Sequence, residues 1–272
     1  MQKVINLTNK YIILATPLIL YSLISNIYLV ISANGGKIIN LILALFIYFL
    51  MTATFIAGWF KMIKQAVINQ NIDEGNALMK EFPQGVGEYF IPATGALLMI
   101  FLIFITMMTI SYFIGIKFIG NPGVTSDILA QSIKNTESLK LFISSLSQEQ
   151  LIKINLWNFL ILGTISFVYY IIFLFLPTIF FKNKNPFIAF FISLKDLFSK
   201  KIIKTTGLFI LIFIINAILS LLSAICGKIV IAHFLLTLVN FYFITLVGTG
   251  IFYYYYHTFI ENKVGQHIDI KL

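Results

Sequence analysis

Hydrophobic positions come in long, nearly unbroken runs, at 11–32, 38–60, 90–119, 151–181, 205–227 and 232–260, and charge, Asn, Pro and Gly gather in the stretches between them. A helix rises 1.5 Å per residue, so about 20 apolar residues cross the roughly 30 Å hydrocarbon core of a bilayer. All six runs reach that length. The pattern predicts an all-α fold, a polytopic membrane helix bundle of about six transmembrane helices, with residues 1–272 forming a single integral membrane domain. The third and fourth runs, about 30 residues each, exceed the bilayer and are expected to tilt or to project into the interface. The first run follows MQKVINLTNK and contains Pro17. It is too long for a signal-peptide core and lacks a small-residue cleavage site, so it reads as a retained span.

The polar stretches carry their own periodicities. In NPFIAFFISLKDLFSKK, Phe187, Phe190, Phe191, Leu194, Leu197 and Phe198 recur at three- and four-residue spacing, and Ser193, Lys195, Asp196, Ser199 and Lys200 fill the opposite face. Pro186 suits a first helical turn. A helix with an aromatic face and a lysine face is expected to lie in the headgroup plane, with its rings below and its ammonium groups near anionic lipid. A rougher counterpart begins at Asn71, offers Leu78, Met79 and Phe82 on one face, and is expected to break at Pro83, Gly85 and Gly87. In the segment 120–150, Ile128, Leu129, Ile133, Leu139, Phe142, Ile143 and Leu146 predict one or two short helices. Ser147 with Gln150 reads as a capping box opening the fourth span.

Composition agrees with this pattern: 59% of the residues are hydrophobic and 11% charged, where soluble domains carry about 25% charged residues. All 19 basic residues are lysine, which removes arginine's bidentate fork for phosphate and carboxylate. The net charge of +9 reads as membrane topology and not as a nucleic-acid partner. With the N-terminus inside, Lys3, Lys10, Lys61, Lys64, Lys80, Lys182, Lys184, Lys195, Lys200, Lys201, Lys204, Lys263 and Lys271 fall on the inner side. Lys37, Lys117, Lys134, Lys140, Lys153 and Lys228 fall on the outer side. The asymmetry predicts a multi-pass protein of the cytoplasmic membrane with both termini cytoplasmic. Cys226, the single cysteine, excludes an intrachain disulfide.

A shift of 112 residues lays TGALLMIFLIFITMMTISYFIG (94–115) over TGLFILIFIINAILSLLSAICG (206–227), with seven of 22 positions identical. The matches include Thr94 with Thr206, Gly95 with Gly207, Ser111 with Ser223 and Gly115 with Gly227. The register pairs the third span with the fifth, which run in the same direction, so it predicts an internal parallel repeat with halves 38–119 and 151–232.

No Asp, Glu, Lys or His lies in the central portion of any run, which argues against a proton-driven pump. Phosphate-cradling, zinc-protease and serine-elbow motifs are absent from the sequence. His233, His257 and His267 lack metal spacing. No catalytic residue, metal site or cofactor is implied. Asp73, Glu74, Glu81 and Glu88 read as a solvated loop face, and Tyr253 to Tyr256 with His257 as an interfacial aromatic belt, an aromatic cage for a cation being the alternative. On the fifth span Asn216, Ser220, Ser223 or Ala224, and Gly227 form one small-residue face, expected to pack within the bundle or to line a passage. Ser22, Ser25 and Asn26 on the first span, and Thr245, Gly248 and Gly250 on the sixth, read as packing positions.

NPFIAFFISLKDLFSKK, the following Thr206-Gly207 and the glycine-terminated span together resemble bacterial multi-span membrane families of unknown function, which have about six helices and a repeated P-x-x-A-F loop entering a basic amphipathic segment. The same residues are loosely similar to the membrane portion of glycerophosphodiester phosphodiesterases. The resemblance covers mainly residues 180–260 and transfers no active residue, and the chain has no soluble phosphodiesterase domain. The expected function is non-enzymatic: to organise or bind partners and lipid at the inner leaflet through Phe187, Phe190, Phe191, Lys195, Lys200 and Lys201. The expected partners are membrane lipids and an unidentified membrane protein. The alternative is transport or flipping of an amphiphile between the two halves, past Asn216, Ser220 and Ser223.

Overall fold

The computed structural model describes residues 2–33, 38–69, 75–121, 123, 136–227 and 229–261. Among these the regular elements are helical: α1 Gln2–Lys10, a 3₁₀ turn Ile12–Leu14, α2 Ala15–Ala33, α3 Ile38–Ile68, α4 Gly75–Phe118, α5 Thr136–Ser145, α6 Gln148–Ile171, α7 Phe175–Phe181, α8 Pro186–Leu197, α9 Ile202–Cys226 and α10 Val230–Tyr255, which continues as a π-helical turn Tyr256–Glu261. Among the described residues six stretches are long and apolar enough to cross a membrane: Ile12–Ser32, Ile38–Ile68, Ala77–Phe118, Gln148–Phe181, Ile202–Cys226 and Val230–Glu261. The chain is an all-α, multi-pass membrane protein. Exposure fits that solvent, since Ile38, Ile203 and Val230 are 78%, 84% and 83% exposed, and in lipid an outward apolar side chain carries no penalty.

The chain divides into two compact units, Met1–Met99 with Ile171–Leu272, and Ile100–Tyr170. The boundaries fall inside α4 and at the end of α6.

In the first unit α2 and α3 are joined along their length. The Tyr21 hydroxyl lies 2.7 Å from that of Thr52, Tyr28 donates to the Ala44 carbonyl at 3.2 Å, and Trp59 Nε1 donates to the Leu14 carbonyl at 2.8 Å. α10 closes on α3 at Gly248, where a Cβ would sit 3.1 Å from Ile63 and 3.2 Å from Trp59. Phe60 and Phe252 stack there with centroids 5.0 Å apart. Thr245 and Ser25 are buried, whereas Asn26 is exposed.

In the second unit the later turns of α4 pair with α6. Ser111 and Thr164 share a hydroxyl contact of 2.5 Å, and Trp157 packs on Gly115 and donates to the Gly120 carbonyl at 3.0 Å. The capping box forms as the sequence predicts: the Ser147 amide donates to Gln150 Oε1 at 3.0 Å and the Gln150 amide to Ser147 Oγ at 3.2 Å. α5 supplies one short helix of the 120–150 segment; Ile128, Leu129 and Ile133 lie outside the described residues.

Two expectations are corrected. α4 does not break at Pro83, Gly85 or Gly87 but runs unbroken through Pro83 and Pro92. Each internal proline removes one hydrogen bond at roughly 3 kcal/mol. Ending the helix there would free four carbonyls that the continuing helix keeps bonded. Gly85 serves close approach, because a Cβ there would stand 2.5 Å from Lys61 Cβ and 2.7 Å from the Ala57 carbonyl oxygen. The fourth run, in turn, is two helices, α6 and α7, joined by a turn in which the Phe175 amide donates to the Ile172 carbonyl at 2.9 Å.

Candidate functional site

Charged and hydroxylated side chains converge at one end of the first unit. They come from the last turns of α3 (Lys61, Lys64), the early turns of α4 (Glu88, Tyr89), the α7–α8 link (Lys182, Lys184), α8 (Asp196), the start of α9 (Lys201, Lys204, Thr205) and the end of α10 (Tyr254, Tyr255, His257, Thr258). α8 is set locally by its cap: the Asn185 side chain accepts from the Phe187 and Ile188 amides at 3.0 and 3.4 Å, and Pro186 occupies the first turn.

One cluster is buried and balanced. Lys182 Nζ donates to Asp196 Oδ2 at 2.5 Å, with the two side chains 16% and 12% exposed. The Tyr255 hydroxyl donates to the same oxygen at 2.7 Å, and Thr178 Oγ1 donates to the Tyr255 oxygen at 3.0 Å. The Lys182 ammonium lies 5.2 Å from the Tyr255 ring centroid and 5.5 Å from that of Phe259. Asp196 therefore does not share the solvated lysine face. It points inward with Ser193, because Lys182 and Tyr255 supply the partners that a buried carboxylate requires.

A second cluster is unbalanced and open on one side, with Lys61 covered but Glu88 and Lys184 35% and 53% exposed. Glu88 accepts from Lys61 at 2.7 Å and Lys184 at 2.8 Å, and Lys64 donates to the Tyr89 hydroxyl at 3.0 Å. The ammonium groups of Lys184, Lys64 and Lys61 lie 5.0, 5.5 and 5.8 Å from the Tyr89 ring centroid. Three lysines face one carboxylate. Glu88 thus belongs to an ion-pair network and not to a solvated loop face; Asp73 and Glu74 lie outside the described residues, and Glu81 is half-buried.

The YYYYH stretch is likewise drawn inward. Tyr255 is fully buried on Asp196, and Tyr254 shares a 2.7 Å hydroxyl contact with Thr205. For Tyr254 and Tyr255, protein partners take the hydroxyls that an interfacial belt would turn to water. Lys201, expected at the lipid surface, donates to the Thr258 carbonyl at 2.5 Å and ties α9 to the end of α10.

The remaining predicted contacts sit outward. Phe187, Phe191 and Phe198 are 60%, 56% and 58% exposed, with Lys195 and Lys200 exposed beside them, while Phe190 turns in against Phe175 at 5.7 Å. Asn216, Ser220 and Gly227 are exposed and Ser223 is half-buried, so the small-residue face of α9 does not pack inside this chain.

Two hollows open in the first unit. A groove of about 680 Å³ between α2, α3 and the start of α4 is apolar apart from Tyr21 and Thr54. A cleft of about 320 Å³ lies between α9 and α10 and reaches Ile215 without including Asn216. No family model, no curated protein and no solved structure matches the chain.

Proposed function

We propose that this chain is a multi-pass protein of the cytoplasmic membrane, with both termini in the cytoplasm, whose charged end holds anionic lipid of the inner leaflet and presents a docking surface to a membrane-protein partner. The observation that carries the reading is the face of α8. Phe187, Phe191 and Phe198 project outward beside Lys195 and Lys200, while its Ser193 and Asp196 turn inward. Exposed rings and ammonium groups on one surface match the acyl boundary and the phosphates above it. The surplus lysines around Glu88 add to the attraction. A binding role is favoured over catalysis because Asp196 and Glu88, which could act as acids or bases, are each taken up by lysines.

The test combines topology with lipid selectivity. In a Cys226→Ser background, Lys195→Cys should react with a membrane-impermeant maleimide only when the cytoplasmic face is accessible. In bilayers containing spin-labelled phosphatidylglycerol, the Lys195→Glu/Lys200→Glu protein should restrict roughly thirtyfold less label than the unaltered chain, at about 1 kcal/mol for each of the two lysines near the surface. Labelling from the outer face, or equal restriction by both proteins, would sink the proposal.

A further inference from the structure

From the cleft between α9 and α10 we infer a binding site for one acyl chain of an anionic phospholipid, with the lipid phosphate at Lys204. The inference rests on the charged end lying at an anionic leaflet, but not on the α8 surface.

Three features of the cleft point to that ligand. Its interior is apolar, with Leu208, Leu211 and Ile215 from α9 facing Phe243 and Leu246 from α10. Its mouth is polar, with Lys204, His257 and Thr258 at the charged end. From Lys204 to Ile215 the wall runs 11 residues, ~16 Å at 1.5 Å per residue, about half of a roughly 30 Å hydrocarbon core. The hollow is therefore one leaflet deep, charged at the headgroup end and oily along the rest. A volume of about 320 Å³ lies within the usual range for ligand pockets.

The mouth is also fixed in advance. Lys201 Nζ on the Thr258 carbonyl and Thr205 on Tyr254 pin the start of α9 to the end of α10, which lowers the ordering cost of binding. Gly250 leaves room where α1 approaches, with Val4 Cγ1 standing 3.5 Å from the place a Cβ would take. Charge complementarity fixes the headgroup sign. Lys204 is exposed, and among the described residues no carboxylate oxygen lies within 4.0 Å of its ammonium. Glu261, the carboxylate next along the chain, is engaged by His257 Nδ1. A free phosphate would leave the oily interior empty, and a neutral chain would leave Lys204 uncompensated.

The experiment counts lipids retained on the full chain by native mass spectrometry after extraction from bilayers of equal phosphatidylglycerol and phosphatidylcholine. The unaltered protein should keep one phosphatidylglycerol in preference to phosphatidylcholine. Lys204→Gln should cut its retention about fivefold, the effect of one lysine near a headgroup. Leu211→Trp, which fills the slot, should abolish it, while Ile210→Trp on the outward face of the same turn should retain it and so controls for folding. Excess inorganic phosphate should not displace the lipid. Equal retention of both lipids, retention by Leu211→Trp, or displacement by phosphate alone would each overturn the site. Lys195→Glu/Lys200→Glu should leave this lipid bound, so a failure of the α8 surface and a failure of the cleft give different results.

Discussion

Two lysine–carboxylate clusters stand at the same end of one unit and differ in both burial and balance. Around Asp196, one lysine and one tyrosine meet one carboxylate, the ion pair is about nine-tenths covered, and a second hydroxyl stands behind the tyrosine. Around Glu88, three lysines gather near one carboxylate, and the Lys184 side chain is 53% exposed. A buried charge must be matched or it destabilises the fold. A charge at the rim can stay in surplus because water and headgroups screen it. The first cluster therefore works as a clamp among α7, α8 and α10, and the second leaves lysine charge in surplus.

This contrast makes ordered predictions. Asp196→Ala takes the carboxylate away from a mostly buried Lys182 and should lower stability by about 3–5 kcal/mol, read as a large drop in the thermal unfolding midpoint in detergent. An Asp196→Ala protein that melts normally would show that the clamp is not structural. Tyr255→Phe removes one donor to Asp196 and should cost about 1–3 kcal/mol in the same assay, with Lys182 still paired. Glu88→Gln should cost only about 1 kcal/mol, and the loss should shrink as salt rises, unlike that of Asp196→Ala. Smallest of all, Lys184→Gln should change stability by less than about 1 kcal/mol while weakening retention of anionic lipid. Should Lys184→Gln unfold the protein as readily as Asp196→Ala, the two clusters would be of one kind.

How each element could be read depends on whether its signal is local. The Ser147–Gln150 box and the start of α8 rest on side chains three residues or fewer from their partners: the box forms and Pro186 takes the first turn as the sequence predicts, with Asn185 as the cap. Asp196 misleads for the opposite reason. Its neighbours are lysines and a serine, but its partners lie 14 residues back and 59 residues on. Nothing in the periodicity of NPFIAFFISLKDLFSKK shows that Lys182 and Tyr255 await the carboxylate on the inner side. Pro83 and Gly85 mislead similarly: they signal a break in water, whereas beside α3 the glycine admits Lys61 and the helix continues. The small-residue face of α9 could be read as a face, but which neighbour it meets could not, and within this chain it stays exposed.

By itself the sequence determined the solvent, the number of long apolar helices and several of their starts, because length, hydropathy and capping act over one helix at a time. Only the tertiary structure decided which lysines are matched and which are left over, which tyrosines turn inward, and where a hollow one leaflet deep opens between α9 and α10. Those outcomes depend on groups tens of residues apart meeting within about 3 Å, and the free energy of a charge depends on what it meets.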